Sequence, residues 1–264
     1  MKINKLARYL KITLGMAAAL IVLTLALTSC SDQPQQNGGI LTQPHTAGLT
    51  PQVLKYAING YQWALDHHDV SNNGILTVVN FNLPSYDKRM WVINLHTRKV
   101  LMAMHVAQGK NSGEIYAKHF SNQPGSLESS PGIYTTGDIY SGEHGKSMRV
   151  TGLEPGINSN AQERAVVIHQ ASYVTPAFIR QNGYAGRSWG CFAVNPARVD
   201  SLMGDIKGQS VLFAYASPEN HDPRVAHPLS AQGQALYDDI LARNHSIFSQ
   251  YIVKLDNTVK RNLG

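Results

Sequence analysis

Apolar positions change their period along the chain, and each change marks an element. Val53, Leu54, Ala57, Ile58, Tyr61 and Leu65 recur at helical spacing, which predicts an amphipathic helix over 50–67. Thr50 and Pro51 supply an N-cap followed by a proline at the first helical position. Asn72-Asn73-Gly74 ends it. From Ile75 the pattern becomes that of strands. ILTVVNF (75–81) reads as one strand. MWVINL (90–95) and VLMAMHV (100–106) flank His96-Thr97-Arg98-Lys99, which predicts a β-hairpin. Residues 132–135 and 148–153 read as two further strands. AVVIH (165–169) suits a buried strand that ends in histidine. Residues 191–194 and SVLFAYA (210–216) complete the set, with a short helix over 199–206 between them. Short strands punctuated by Gly and Pro predict a mainly β sandwich or barrel with flanking helices. After Ser217-Pro218, Leu236, Ile240, Leu241, Phe248 and Ile252 predict a C-terminal helix within 229–252, broken near Asn244.

The first thirty residues follow another pattern. MKINKLARYLK is basic, and the next seventeen residues, ITLGMAAALIVLTLALT, are apolar or small. This is the layout of a secretory signal. Its end, Leu27-Thr28-Ser29-Cys30, resembles the bacterial lipobox, in which the cysteine thiol is diacylated and the chain is cut before it. A plain transmembrane anchor is the alternative, although seventeen residues lie at the lower limit for spanning. Either reading puts the body outside the cytoplasm. Ser31 rather than Asp after Cys30 implies sorting to the periplasmic face of a Gram-negative outer membrane. The segment SDQPQQNGGILTQPHT reads as a tether. The expected organisation is therefore a leader at 1–29, a tether at 30–48, a β-rich domain at 49–216 and a helical extension at 217–264.

Charge changes the picture once the leader is set aside. The 264-residue chain has a formal charge of +6 and a pI near 9.3, which suggests nucleic acid. Four of its 23 basic residues lie in the leader, and 17 are acidic. The remainder is too near neutrality to hold phosphates broadly, so no nucleic-acid partner is expected. The chain has two cysteines. If Cys30 becomes a lipid anchor, Cys191 has no partner for an intramolecular disulfide. A free thiol in an oxidising compartment is either buried and inert or used. A reactive thiol needs a base. His169 ends an apolar strand 22 residues earlier, and adjacent strand ends could bring the two together. Gly190 leaves the backbone open to substrate, and the N–H groups around Gly190 and Cys191 could face an oxyanion.

Four segments then resemble one family. They are FSNQPGSLESSPGIY (120–134), YSGEHGKSMRVTGLEPGIN (140–158), RAVVIHQASYV (164–174) and GRSWGCFAV (186–194). Together they are similar to the murein L,D-transpeptidase catalytic domains, in the exported form with Ser-Trp-Gly-Cys at the nucleophile. The resemblance implies that β-rich fold, with Cys191 as nucleophile, His169 as base, and Ser188 and Gly190 shaping the cysteine loop. It implies acyl transfer on peptidoglycan stem peptides. Cys191 would attack the diaminopimelate carbonyl, D-alanine would leave, and a second stem's amine would resolve the thioester into a 3→3 cross-link. Water as acceptor would make an L,D-carboxypeptidase, and a cysteine peptidase trimming stem peptides is a related reading. A murein-binding lipoprotein with little turnover is the alternative outside enzymes. No metal or organic cofactor is implied. Carbapenems are expected to acylate the thiol.

The chain departs from the broader family pattern at four positions. Trp189 stands where a histidine is usual, Ala193 where Arg or Asn is, Phe192 where Pro is, and Gln170 where a small residue follows the base. A backbone carbonyl could orient His169 instead. Arg187 is the candidate contact for a substrate carboxylate. Trp189, Tyr134 and His144 are candidate substrate-binding residues. Among other histidines, His67-His68 with Asp66 and Asp69 is the densest cluster, and it reads as a helix end. Gly142 to Ser147 is too short between its glycines for a phosphate loop.

Overall fold

The computed structural model of the chain describes residues 48–216, 225–245 and 248. The predicted leader, Cys30 and most of the tether lie outside these residues, as does 217–224. The described residues fall within one compact unit, Gln43–Gly264. Among them no helix is long and apolar enough to cross a membrane.

Helix α1 spans Pro51–His67, and Thr50 Oγ1 accepts from Val53 N at 3.1 Å as the N-cap. The strands are β1 (Ile75–Asn80), β2 (Met90–Asn94), β3 (Lys99–Met104), β4 (Val106–Ala107), β5 (Gly132–Gly142), β6 (Gly145–Gly152), β7 (Val167–Gln170), β8 (Phe192–Val194) and β9 (Val211–Tyr215). Helix α2 (Pro176–Asn182) lies between β7 and β8, α3 (Pro196–Ile206) between β8 and β9, and α4 (Ala231–Arg243) follows β9.

All nine strands form one sheet in the order β3-β2-β1-β9-β5-β6-β7-β8-β4. The two ends of that order, β3 and β4, are one stretch of chain interrupted only at His105. The sheet therefore curls back on itself into a nearly closed barrel, the mainly β architecture expected from the sequence. Side chains alternate across it. Val79, Leu212 and Ala214 face a cluster that also takes Val199, Leu202, Met203 and Ile206 of α3. Leu76, Val78 and Phe213 face a second cluster with Leu54, Ala57 and Ile58 of α1 and Ile240 of α4. Covered on both faces, β1 and β9 read as unbroken apolar runs rather than alternating ones.

The structure differs from the expected elements in three places. The strands expected at 132–135 and 148–153 are ends of one longer hairpin, β5 and β6, turning at Glu143 and His144. The register shifts between Thr136 and Ile139, and such a bulge breaks the alternation that identifies a strand. Helix α2 escaped the periodicity because it has only seven residues. Its caps were visible, since Thr175 accepts from Phe178 N, Pro176 opens the helix and Gly183 closes it at φ +80. Helix α3 begins at Pro196, three residues early, with Asn195 as its N-cap. Helix α4 ends where the break was expected, with Asn244 as its C-cap.

Candidate active site

Strands β7 and β8 pair in parallel, with Ile168 opposite Phe192 and His169 opposite Ala193. Cys191 sits one residue before β8. Alternation puts the positions of Cys191, Ala193 and His169 on one face, with Cys191 one diagonal step along the ladder from His169.

His169 is buried, at 2% exposure. Its Nδ1 donates to the Gln170 carbonyl at 2.9 Å. A carbonyl only accepts, so this bond fixes the tautomer and leaves Nε2 as the acceptor. The backbone carbonyl expected to orient the base is that of Gln170. Burial holds the imidazole below its ordinary pKa, the Gln170 carbonyl offsets part of that, and His144 lowers it further. The His144 ring stacks on that of His169, with centroids 4.5 Å apart and planes at 30°. His144, expected to touch substrate, therefore lies against His169.

The Cys191 Sγ donates to the Ala165 carbonyl at 3.6 Å. Burial pushes the thiol above its ordinary pKa, while the Val167 backbone and the Arg164 charge pull it back. Among the described residues no hydrogen bond joins this thiol to His169.

The loop before Cys191 is tied at several points. Ser188 N donates to the Gln108 carbonyl at 2.9 Å, and Lys110 N donates to the Ser188 carbonyl at 2.7 Å. Ser188 Oγ donates to the Cys191 carbonyl at 2.7 Å and accepts from Gly190 N at 3.2 Å. Ser188 and Gly190 do shape this loop. The Gly190 N–H, however, is committed to Ser188, which corrects its expected place as an oxyanion donor. Gly190 has φ +114, and a Cβ there would lie 2.7 Å from the Glu128 carbonyl oxygen and 3.1 Å from Arg164 Nη2. Only glycine fits this approach.

The remaining candidates separate. Tyr134 is fully buried. Its hydroxyl donates to the Ser130 carbonyl at 2.9 Å, and its ring meets Phe192 edge-on at 5.4 Å. It is a core residue and does not line a substrate groove, which corrects that expectation. Phe192 and Ala193 are buried too, so these departures from the family pattern serve packing. Trp189 is 75% exposed, so it does not wedge the loop; its indole stands in solvent two residues from the thiol. Arg187 Nη1 donates to the Lys110 carbonyl at 3.4 Å and has no carboxylate partner among the described residues. His67 and His68 end α1 with their rings against Trp63.

Sequence reasoning assigned no role to two neighbours of the thiol. Tyr173 packs against Gly186, where a Cβ would lie 2.6 Å from its own. Burial pushes its phenol up to about 12, and the charge of Cys191 adds to this. Arg164 donates through Nη1 to the Ser121 carbonyl at 2.6 Å and to Ser130 Oγ at 2.5 Å. Through Nη2 it reaches Ser126 Oγ at 3.2 Å and the Glu128 carbonyl. The only sequence signal for it was a lone cation leading into AVVIH.

The L,D-transpeptidase catalytic domain family matches residues 45–215 of this chain. No curated protein matches it. Among solved structures, an L,D-transpeptidase from Mycobacterium smegmatis aligns at 16% identity over 54% of this chain and 59% of its own, with a TM-score of 0.34. L,D-transpeptidase 1 of Mycobacterium tuberculosis aligns at 13% identity over 54% and 62%, TM-score 0.31. An L,D-transpeptidase from Stackebrandtia nassauensis aligns at 10% identity over 63% and 67%, TM-score 0.34. The chain thus spans less than two thirds of the first two of these proteins.

Proposed function

The chain belongs to the L,D-transpeptidase catalytic domain family, and from that premise we propose that it is a murein L,D-transpeptidase working through Cys191 and His169. The observation that supports the reading is the register that puts the positions of Cys191 and His169 on one face where β7 and β8 pair, with the imidazole tautomer set by the Gln170 carbonyl.

In this reading His169 Nε2 takes the Cys191 proton as Sγ attacks the diaminopimelate carbonyl of a tetrapeptide stem. The S–C bond forms and the carbonyl π electrons move to oxygen. Collapse of the tetrahedral intermediate breaks the C–N bond, and His169 returns the proton to the departing D-alanine amine. An amine from a second stem then attacks the thioester, giving a 3→3 cross-link and restoring the thiol. With the Gly190 amide committed to Ser188, the Cys191 N–H is the loop amide left to meet the oxyanion. Arg187 and Trp189, both open at the loop, are the groups placed to meet the stem peptide. A carbapenem would acylate the same sulfur.

The reading also places the protein on the outer membrane, held by acyl chains on Cys30. Loss of acyl labelling in Cys30→Ala is the expected result, and persistent labelling overturns the anchor.

Mass spectrometry of disaccharide-tetrapeptide incubated with the detergent-solubilised full chain tests the activity, beside Cys191→Ala. A cross-linked dimer that has lost one D-alanine, absent from the variant, is expected. Monomer lacking D-alanine would make water the acceptor. Unchanged tetrapeptide with a folded wild-type protein that still binds murein would overturn the enzymatic reading.

A further inference from the structure

We propose that Arg164 is the cation that favours the Cys191 thiolate, supplying a positive charge that no ion pair holds beside the nucleophile loop while clamping the 121–130 segment beneath Gly190. The inference rests on Cys191 being the nucleophile.

Three observations carry it. First, Arg164 Nη2 lies 3.1 Å from where a Gly190 side chain would begin, which puts the guanidinium one residue from the thiol. The approach continues past the paired strands: the Cys191 thiol reaches the Ala165 carbonyl at 3.6 Å, so the chain entering β7 runs beside the chain entering β8. Second, the partners of the guanidinium are neutral. They are the carbonyls of Ser121 and Glu128 and the hydroxyls of Ser126 and Ser130. Among the described residues Arg164 forms no ion pair; the two recorded pairs are Arg98–Asp239 and Lys146–Asp200. Burial lowers the pKa of the guanidinium, but arginine starts so high that the charge persists. Third, Cys191 needs such a charge, because burial works against its ionisation and the Arg164 charge is one of the two influences favouring it.

The groups facing this centre are the Glu128 carboxylate and the Tyr134 hydroxyl, both felt by Arg164, together with Tyr173, which feels Cys191. His169 lies on the shared face. None forms an ion pair that would neutralise the guanidinium.

The clamp and the charge can be separated. Alkylation of Cys191 by iodoacetamide forms an S–C bond, releases iodide and leaves the thiol proton to the buffer, so its rate follows the thiolate fraction. Peptide mass spectrometry reads Cys191 apart from Cys30 in the full chain. Arg164→Gln is expected to raise the midpoint of the alkylation–pH curve by about one unit, the low end for a cation a few ångströms from an acid. Below the midpoint that is about tenfold slower alkylation. Arg164→Lys keeps the charge, loses the fork, and is expected to stay within about half a unit of wild type.

A folded Arg164→Gln with an unmoved midpoint overturns the proposal. If Arg164→Gln does not fold, Arg164→Lys decides alone, and a rise of a full unit overturns it. Ser130→Ala serves as the clamp control: it is expected to lower the melting temperature and leave the midpoint unmoved, and a moved midpoint would assign the effect to loop position instead of charge. No murein enters the assay, so this inference can fail while the proposed activity stands. Equally, if the activity fails in the muropeptide assay, the midpoints remain readable.

Discussion

Replacing Gly190 by alanine should destabilise the domain and slow its thiol, and the structure sets the size of the effect. At φ +114 the backbone lies where an L side chain is strained, and the added Cβ would sit 2.7 Å from the Glu128 carbonyl oxygen. That atom is main chain and already accepts from Arg164, so no flexible side chain can yield. Holding a residue in such a conformation costs about 1–3 kcal/mol, and relieving the overlap costs about another 1–3 kcal/mol. At roughly 2–4 °C per kcal/mol for a domain of this size, Gly190→Ala should melt about 4–24 °C below wild type. The same Cβ would lie 3.1 Å from Arg164 Nη2 and push the guanidinium away from the loop, so Cys191 should alkylate more slowly. Gly204 provides the control. It lies within α3 with open space around its Cα, where alanine is favoured by about 0.5–1 kcal/mol. Gly204→Ala should melt at or slightly above wild type. Circular dichroism melts of the two variants give the comparison. Gly190→Ala melting within a degree of wild type, or Gly204→Ala falling as far, would refute the close approach described for the loop.

Three further outcomes follow from the same geometry. Tyr134→Phe strips the Ser130 carbonyl of its buried donor and should cost about 1–2 kcal/mol in a denaturant titration, with kcat/KM on muropeptide within about twofold of wild type since ΔΔG‡ should be near zero; a tenfold loss would return Tyr134 to the substrate groove. Ser188→Ala removes the bridge between the Cys191 carbonyl and the Gly190 amide and should cost about 1–3 kcal/mol together with slower alkylation, whereas an unchanged melt would mean the loop is held without it. The acid limb of kcat/KM should fall below pH 6.5, because burial and His144 both lower the His169 pKa and the base stays neutral into mild acid. His144→Phe keeps a ring against His169 but removes the like charge, so the limb should move up in pH, and a limb that stays or moves down would exclude that charge as a cause.

What could be read from the sequence was what repeats locally. Helix α1 announced itself by spacing and by Thr50-Pro51, and the central strands by continuous apolar runs. Cys191 and His169 were legible as candidates because each stands at the end of an apolar run, and the two runs pair as neighbouring strands. What escaped depended on pairing across the chain. The β5–β6 hairpin hid because a bulge broke its alternation. Tyr134 and Phe192 looked like members of a matched motif, yet their contacts are with each other in the core. His144 and His169 are 25 residues apart in sequence, and no pattern says that their rings stack. The closure of the sheet was equally invisible, because it depends on one stretch of chain pairing at both edges.

The register explains why Arg164 and His144 fall where they do, and what they do together. Ser147 of β6 stands opposite His169, so the turn that starts β6 carries His144 past the base end of β7. The parallel β7–β8 pair carries Arg164 to the other end, beside Cys191. Arg164 favours losing the thiol proton, while His144 disfavours His169 gaining one. A preformed thiolate–imidazolium pair would need both groups to favour ionisation. Here one neighbour promotes it and the other opposes it, and burial opposes it at both sites. In the proposed mechanism ionisation is then favoured once a carbonyl is present to take the sulfur's charge, so that proton transfer accompanies attack. For a free thiol this is also protective, since oxidation and stray alkylation both proceed through the thiolate.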